Sequence, residues 1–310
     1  MYDAWRHRFS LLTVGATLFL VFAGGMVTST QSGLAVPDWP LSYGMLMPPM
    51  VGGIFYEHGH RMVASAVGFL TLLLAFWTAR RESRRGVRRL AWAALATVVA
   101  QGVLGGLTVI FLLPTAISIG HACLAQAFFC LTIALAYATS REWLSPPPPR
   151  ADPVGLRSLA VLATGLVYAQ LVAGATMRHL HAGLAIPDFP LALGRLVPPF
   201  DAPGVAIHFA HRVGAVFVLG ACAWLWLAAR SAEARPVERV AGLALGLGVL
   251  QAGLGAATVL TAKAPVVTSL HVATGAAVLG LCFLCTLRSF RLLAPPPVAP
   301  ATRAAVSSAA

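Results

Sequence analysis

Charged residues are scarce in this chain of 310 residues. They make up 10% of the sequence, whereas soluble proteins contain about 25%. Hydrophobic residues make up 58%, and the mean hydropathy is +0.79. This composition excludes an ordinary soluble domain and indicates an integral membrane protein. The net charge of +12 does not indicate nucleic acid binding, because the basic residues lie in short connections between apolar runs.

Cysteine is also rare. The chain has five cysteines, and all of them lie within apolar runs. Because none lies in a loop, neither a disulfide framework nor a zinc site is indicated. Cys282 and Cys285 are one helical turn apart, and we interpret them as packing residues.

Long apolar runs, by contrast, are abundant and predict an all-α polytopic membrane protein. The first run resembles a signal peptide, but it lacks a clear small-residue cleavage site and is predicted as a span. Each run has about 20 residues, enough to cross a membrane as a helix. The eight predicted transmembrane helices fall at roughly 10–28, 57–79, 90–112, 117–139, 157–176, 207–229, 240–261 and 267–287.

Basic residues are distributed unevenly over the connections. The N-terminus, the connections 80–89, 140–156 and 230–239, Arg157 and the C-terminal tail hold 17 of the 22 Lys and Arg residues. Connections on the cytoplasmic side of a membrane are enriched in these residues. We therefore expect a protein of the cell (inner) membrane with both termini in the cytoplasm.

The second half of the sequence repeats the first. The segment Gly33–Leu41 recurs as Gly183–Leu191, and Gln101–Gly105 recurs as Gln251–Gly255. Because each half has an even number of spans, both halves have the same orientation. We predict two tandem pseudo-symmetric four-helix bundles, at residues 1–145 and 157–291. A Pro-rich cytoplasmic linker joins them at residues 146–156, and residues 292–310 form a disordered tail.

Four histidines occupy matching places in the repeat. His60 and His121 lie near the starts of the second and fourth spans of the first half, and His211 and His271 lie there in the second half. A single histidine in a span is often a packing residue, but four at matched depth indicate ligands. Two imidazoles facing each other across a bundle suit the two axial positions of haem iron.

A carboxylate precedes the first of these histidines. Glu57 is three residues before His60, so both lie on one face of a helix, and His208 stands in its place in the second half. Arg61 and Arg212 directly follow histidines of the predicted pairs. These arginines are candidates for binding haem propionates, and the alternative is that they extend to the membrane interface.

These motifs together resemble those of the haem A synthases. The resemblance rests on the Glu-x-x-His-Arg motif that opens the second span, the loop Ser32–Pro40 and the four duplicated histidines. It covers nearly the whole chain, from about Gly24 to His271. It implies that the protein oxidises a ring methyl of haem O to a formyl group by successive hydroxylation, and so makes haem A for terminal oxidases.

The resemblance also implies roles for individual residues. It implies that Glu57 is the catalytic carboxylate, that the substrate haem lies near His60 and His121, and that a resident b-type haem lies between His211 and His271. The implied partners are haem O, haem O synthase, assembly factors of terminal oxidases, an electron donor or acceptor and the lipid membrane, with no nucleic acid.

The chain departs from the family pattern in its outer loops. Some relatives carry a cysteine pair in the first outer loop, and this loop has none. His179 and His181 have no counterpart in the first half, and we interpret them as loop surface, the alternative being a contact with a metal or with the edge of a haem.

Two other classes of function stay open. A bis-His di-haem electron carrier of the cytochrome b type would have equivalent halves, and the difference between Glu57 and His208 argues against it. A transporter of haem or another small molecule would have broken spans with polar groups at the membrane midplane. Here the midplane offers mainly Gln101 and Gln251, and the titratable groups lie near the outer edge.

Overall fold

The computed structural model describes residues 2–152 and 154–294. In this part of the chain the regular structure is helical. The helices are α1 (Ala4–Ser29), α2 (Gly52–Arg81), α3 (Arg85–Ile110), α4 (Thr115–Ala138), the short α5 (Arg141–Leu144), α6 (Leu156–His179), α7 (Pro203–Ser231), α8 (Arg235–Leu260) and α9 (Pro265–Leu292). A 3₁₀ turn covers Ala182–Leu184. Residues 295–310 of the predicted tail lie outside the described residues.

The eight predicted spans are confirmed as eight long apolar helices within the described residues. Most helices extend beyond the apolar run at one or both ends. Helix α2, for example, begins at Gly52 and carries Arg80 and Arg81 in its last turn. Basic side chains stabilise a helix C-terminus, so the helix continues where hydropathy has already fallen. The first run is part of the packed structure, because α1 contacts α2, α4 and α9.

The helices pack in two rings. In the first ring α1, α2, α3 and α4 contact one another in order, and α4 returns to α1. Helices α6, α7, α8 and α9 repeat this pattern, and the rings meet where α1 and α4 pack against α6 and α9. The core of the second ring includes Cys282 and Cys285, both fully buried. Their burial among apolar side chains agrees with their interpretation as packing residues.

An ion network ties the ends of four helices together at the face opposite the long loops. Buried Arg6 of α1 donates to Glu82, at 3.1 Å, just after α2. Arg84, which precedes α3, donates to the same carboxylate at 2.9 Å and to the carbonyl of Ala138 in α4 at 2.8 Å. The hydrogen bonds from Arg84 lower the pKa of Glu82 to about 2.

The two long loops, residues 30–51 and 180–202, fold alike. The carboxylate of Asp38 accepts the backbone N–H groups of Tyr43 and Gly44, at 2.6 and 2.8 Å. Asp188 makes the same two bonds in the second loop. These N–H groups hold the pKa of each aspartate below its usual value. Gly44 has φ of 70°, a left-handed conformation that glycine adopts without steric penalty.

Candidate functional site

The structure brings the histidines of the second half together. His211 projects from α7 and His271 from α9, and their ring centroids are 6.5 Å apart with an angle of 73° between the planes. In the first half, His60 lies on α2 and His121 on α4, at the matching positions of the first ring. All four histidines are half-buried. They do not belong to the apolar core.

The spacing in the second half fits one metal ion between two axial ligands. A metal–imidazole bond is about 2 Å long, so two rings on opposite sides of one ion have centroids roughly 6 Å apart. The observed 6.5 Å matches this value without any movement of the helices. The spacing of His211 and His271 is therefore that expected of two imidazole ligands of one iron, and their ligation of a haem stays a prediction.

Each of the four histidine rings rests on a glycine of a neighbouring helix. A Cβ built on the glycine would press on the Cε1 edge of the ring, at 3.1 Å for Gly24 and His60, 3.0 Å for Gly105 and His121, 2.9 Å for Gly174 and His211, and 3.0 Å for Gly255 and His271. The glycines let the rings lie flat between closely packed helices. Gly105 and Gly255 end the repeated segments Gln101–Gly105 and Gln251–Gly255, and Gly24 recurs as Gly174. The sequence does not show that these glycines contact the histidines.

The ring nitrogens have different surroundings in the two halves. Nδ1 of His211 is 3.1 Å from the side-chain amide of Gln170, and Nδ1 of His271 is 3.1 Å from the backbone oxygen of Gln251. Nδ1 of His60 and of His121 has no hydrogen-bond partner among the described residues. The second pair of rings is therefore held by hydrogen bonds that the first pair lacks.

The predicted catalytic carboxylate is buried beneath the first loop. One oxygen of Glu57 accepts the backbone N–H of Val36 at 2.8 Å, and the other accepts from Arg61 at 2.6 Å. In the second half, Nδ1 of His208 accepts the backbone N–H of Ile186 at 3.3 Å. Glu57 and His208 thus each accept a hydrogen bond from a backbone N–H of the neighbouring loop. Glu57 also forms an ion pair with Arg61, one helical turn further along α2.

The two predicted propionate-binding arginines fasten the loops to the helices. The guanidinium of Arg61 donates to loop carbonyls at 2.8–3.2 Å, those of Val36, Asp38 and Leu41. The guanidinium of Arg212 makes the matching bonds at 2.7–2.9 Å, to Ile186, Asp188 and Leu191. These N–H groups already have acceptors in the protein, and binding of a propionate stays a prediction.

The midplane glutamines belong to the histidine sites. Gln101 donates from its side chain to the backbone oxygen of His121 at 2.9 Å. Gln251 contacts His271 through its backbone oxygen and its side chain. They therefore contact the residues that carry the rings, which weakens the case for a separate polar pathway through the bundle.

The end of α6 joins the two halves through Arg178, whose contacts the sequence did not predict. Arg178 donates to the backbone oxygen of Gly25 at 3.0 Å and to the hydroxyl of Ser29 at 2.8 Å, both on α1. His179 is the last residue of α6 and is half-buried. It therefore belongs to the end of a helix, whereas the sequence predicted it on the surface of the loop.

Comparison with known proteins identifies related chains over most of the length. A model of the COX15-CtaA family, described as cytochrome oxidase assembly protein, matches residues 7–283. The Heme A synthase of Symbiobacterium thermophilum is 35% identical over 258 residues, which are 80% of this chain and 83% of that protein. The Heme A synthase of Halalkalibacterium halodurans is 30% identical, covering 85% and 90%. That of Agrobacterium fabrum is 29% identical, covering 82% of each chain.

Proposed function

Since this chain belongs to the COX15-CtaA family of cytochrome oxidase assembly proteins, we infer that it is a haem A synthase. It is a membrane oxidoreductase that converts a ring methyl of haem O into the formyl group of haem A. The observation that carries the haem chemistry is the pair of neighbouring rings, His211 and His271, with centroids 6.5 Å apart. The relatives named Heme A synthase, which match at least four-fifths of the chain, support the reaction.

In this proposal the two halves have different tasks. Residues 1–145 bind the substrate haem between His60 and His121, and residues 157–291 hold a resident haem b between His211 and His271. The different hydrogen bonding at Nδ1 supports the division, because equivalent halves of a di-haem electron carrier would surround their ligands alike. The protein lies in the cell membrane, with both termini and the linker 146–156 in the cytoplasm.

The reaction replaces two hydrogens of a methyl group with one oxygen, through an alcohol and a geminal diol that loses water. This is a four-electron oxidation, so an oxidant supplied from outside the chain must accept these electrons. The resident haem, when bound, supplies one-electron transfer. Glu57 lies one turn before His60, where a carboxylate can accept a proton and stabilise developing positive charge. Its bonds to Val36 and Arg61 hold the carboxylate in place before the reaction. The loop of residues 30–51 excludes bulk water from the oxidised intermediates.

The assignment of ligands is tested by four single variants of the purified protein. His211→Ala and His271→Ala are expected to abolish the low-spin b-type spectrum. His60→Ala and His121→Ala are expected to keep that spectrum and lose most of the haem A yield. Absorption spectra and chromatography of extracted haems measure both. If all four variants retain a full haem complement and full activity, the bis-histidine assignment is wrong.

The role of Glu57 is tested by exchanging it for the residue that the second half has in its place. His208 holds its loop amide with an imidazole nitrogen, so Glu57→His can preserve the loop contact while removing the carboxylate. We expect Glu57→His and Glu57→Ala to stall the reaction at haem O or at the hydroxylated intermediate, with the resident haem intact. Normal haem A yield from Glu57→His would assign Glu57 to the loop alone.

His208→Ala is the matched control for this exchange. It removes the corresponding loop contact in the second half, so we expect a changed spectrum or potential of the resident haem and only indirect slowing of turnover. If His208→Ala stalls at haem O as completely as Glu57→Ala does, the carboxylate of Glu57 has no catalytic role of its own.

A further inference from the structure

We propose that Gln170 is a positioning residue that keeps His211 permanently bound to the resident haem, and that Leu20, its counterpart, leaves His60 able to release a haem. The inference rests on the proposed function, in which the second half keeps its haem and the first half exchanges substrate for product. The hydrogen bond between Gln170 and His211 would then explain why one haem is a fixed cofactor and the other an exchangeable substrate.

Gln170 contacts His211 at two points. It lies on α6, one turn before Gly174, the glycine beneath the His211 ring. Its side-chain nitrogen is 2.7 Å from the backbone oxygen of His211 and 3.1 Å from Nδ1 of the same residue. One amide group therefore touches both the backbone and the ring of the ligand. Such a contact restrains rotation of the ring about its side-chain bonds.

The neighbouring helix provides space for this amide. Gly214 lies three residues after His211 on α7, and a Cβ at this position would overlap the side-chain oxygen of Gln170. A side chain larger than hydrogen at position 214 would displace the amide. Gln170 and Gly214 therefore form one packing unit against the His211 ligand.

The first half has replaced both members of this unit. Leu20 lies one turn before Gly24, as Gln170 does before Gly174, and Val63 lies three residues after His60. Leu20 and Val63 pack against the same apolar cluster. Nδ1 of His60 is buried and has no hydrogen-bond partner within the described part of the chain. Where Gln170 forms hydrogen bonds with His211 in the second half, the first half thus has an apolar contact.

The chemistry of a histidine ligand explains why this difference matters. An imidazole that binds iron through Nε2 carries its proton on Nδ1, and a hydrogen-bond acceptor there fixes the ring and raises its basicity. A side-chain amide has both a donor and an acceptor end, so Gln170 can turn its oxygen toward the Nδ1 proton when iron is bound, giving up its bond to the backbone oxygen of His211. His60 has no such restraint, which suits a site whose product must leave.

The test uses the full-length protein purified with its haem and the variant Gln170→Leu, which installs the residue of the first half. We expect the resident haem to transfer to apomyoglobin about 10–100-fold faster, the range typical for loss of a partner of a metal ligand. We also expect a higher midpoint potential, because a less basic imidazole stabilises ferric iron less. Gln170→Glu, which keeps an acceptor, is expected to retain the haem and to lower the potential.

Two further variants complete the test. Gln126→Leu makes the same chemical change at a buried glutamine of α4 and is expected to leave the resident haem unchanged. Leu20→Gln combined with Val63→Gly introduces into the first half the glutamine and the glycine that contact each other beside His211 in the second. We expect this double variant to retain substrate or product haem on purification and to turn over more slowly, with the resident haem unaltered.

The outcomes separate this inference from the function on which it rests. Wild-type transfer rate and potential in Gln170→Leu would overturn the inference, while loss of haem b in His211→Ala would still support the assignment of the resident site. If His211→Ala itself keeps the resident haem, that assignment is wrong and the inference fails with it. If Gln170→Leu does not fold, an unchanged potential in Gln170→Glu would overturn the inference.

Discussion

The ring of His211 lies directly against Gly174, and a Cβ on this glycine would stand 2.9 Å from Cε1. Atoms of well-packed interiors do not approach so closely, so one of the two helices or the ring would have to move. The position of a predicted iron ligand on α7 thus depends on the absence of a side chain on α6.

We predict that Gly174→Ala displaces His211 and weakens binding of the resident haem. Alanine favours a helix by about 1 kcal/mol over glycine, so the substitution would otherwise stabilise α6. Gly165→Ala on the same helix is the control, because a Cβ there meets nothing within 4 Å. We expect Gly165→Ala to keep its haem and Gly174→Ala to lose haem on purification. Equal haem content in both variants would contradict this role of Gly174.

Arg61→Lys is expected to loosen the first loop. Arginine reaches its carbonyl acceptors and Glu57 with a planar fork of N–H groups, and a lysine ammonium cannot reproduce that geometry. Hydrogen–deuterium exchange of residues 30–51 should become faster, and haem A yield should fall while the resident haem stays. Arg212→Lys should affect residues 180–202 instead. The prediction fails if the first loop exchanges at the wild-type rate in Arg61→Lys.

Glu82 is expected to make stability depend on pH in acid. Its pKa falls from 4.5 to about 2 on folding, chiefly through hydrogen bonds from Arg84. Because the folded protein binds the proton less tightly than the unfolded chain, this stabilisation is complete well above pH 4.5 and is lost as the pH falls toward 2. At pH 7 we expect Glu82→Gln to lower the free energy of unfolding by about 1–3 kcal/mol, because buried Arg6 loses its counter-charge.

Thermal unfolding in detergent between pH 7 and pH 2.5 measures this effect. The difference in stability between the wild type and Glu82→Gln should be constant down to about pH 5.5 and shrink below pH 4.5. Glu238→Gln is the control, because its partner Arg235 is exposed and 3.9 Å away, and such pairs contribute little. A difference that persists undiminished at pH 2.5 would contradict the role of ionised Glu82.

The proposed topology predicts the sides on which the connections lie. A reporter fused after Arg85 should be active in the cytoplasm, and one fused after Leu41 should be active on the outer side. The reason is the concentration of arginines in the connection between α2 and α3. Fusions that report the same side would overturn the orientation of the bundle.

The sequence by itself determined that the chain forms eight membrane-spanning α-helices. Burial in a membrane requires about 20 apolar residues and internal backbone hydrogen bonds, and both are local properties of the chain. The repeat likewise identified the four histidines and the difference between Glu57 and His208, because matching positions can be compared without knowledge of their neighbours.

Only the tertiary structure decided what those residues touch. Arg61 is a candidate for a propionate by sequence, and in the structure it donates to the carbonyls of its own loop and to Glu57. Gln170 carried no signal that distinguished it from other residues of an apolar helix, and the recurrence of Gly24 as Gly174 did not show what the glycine contacts. In the structure both residues contact His211. Contacts of this kind join segments far apart in sequence. They depend on how closely and in which rotation two helices pack, which the composition of either helix alone does not specify.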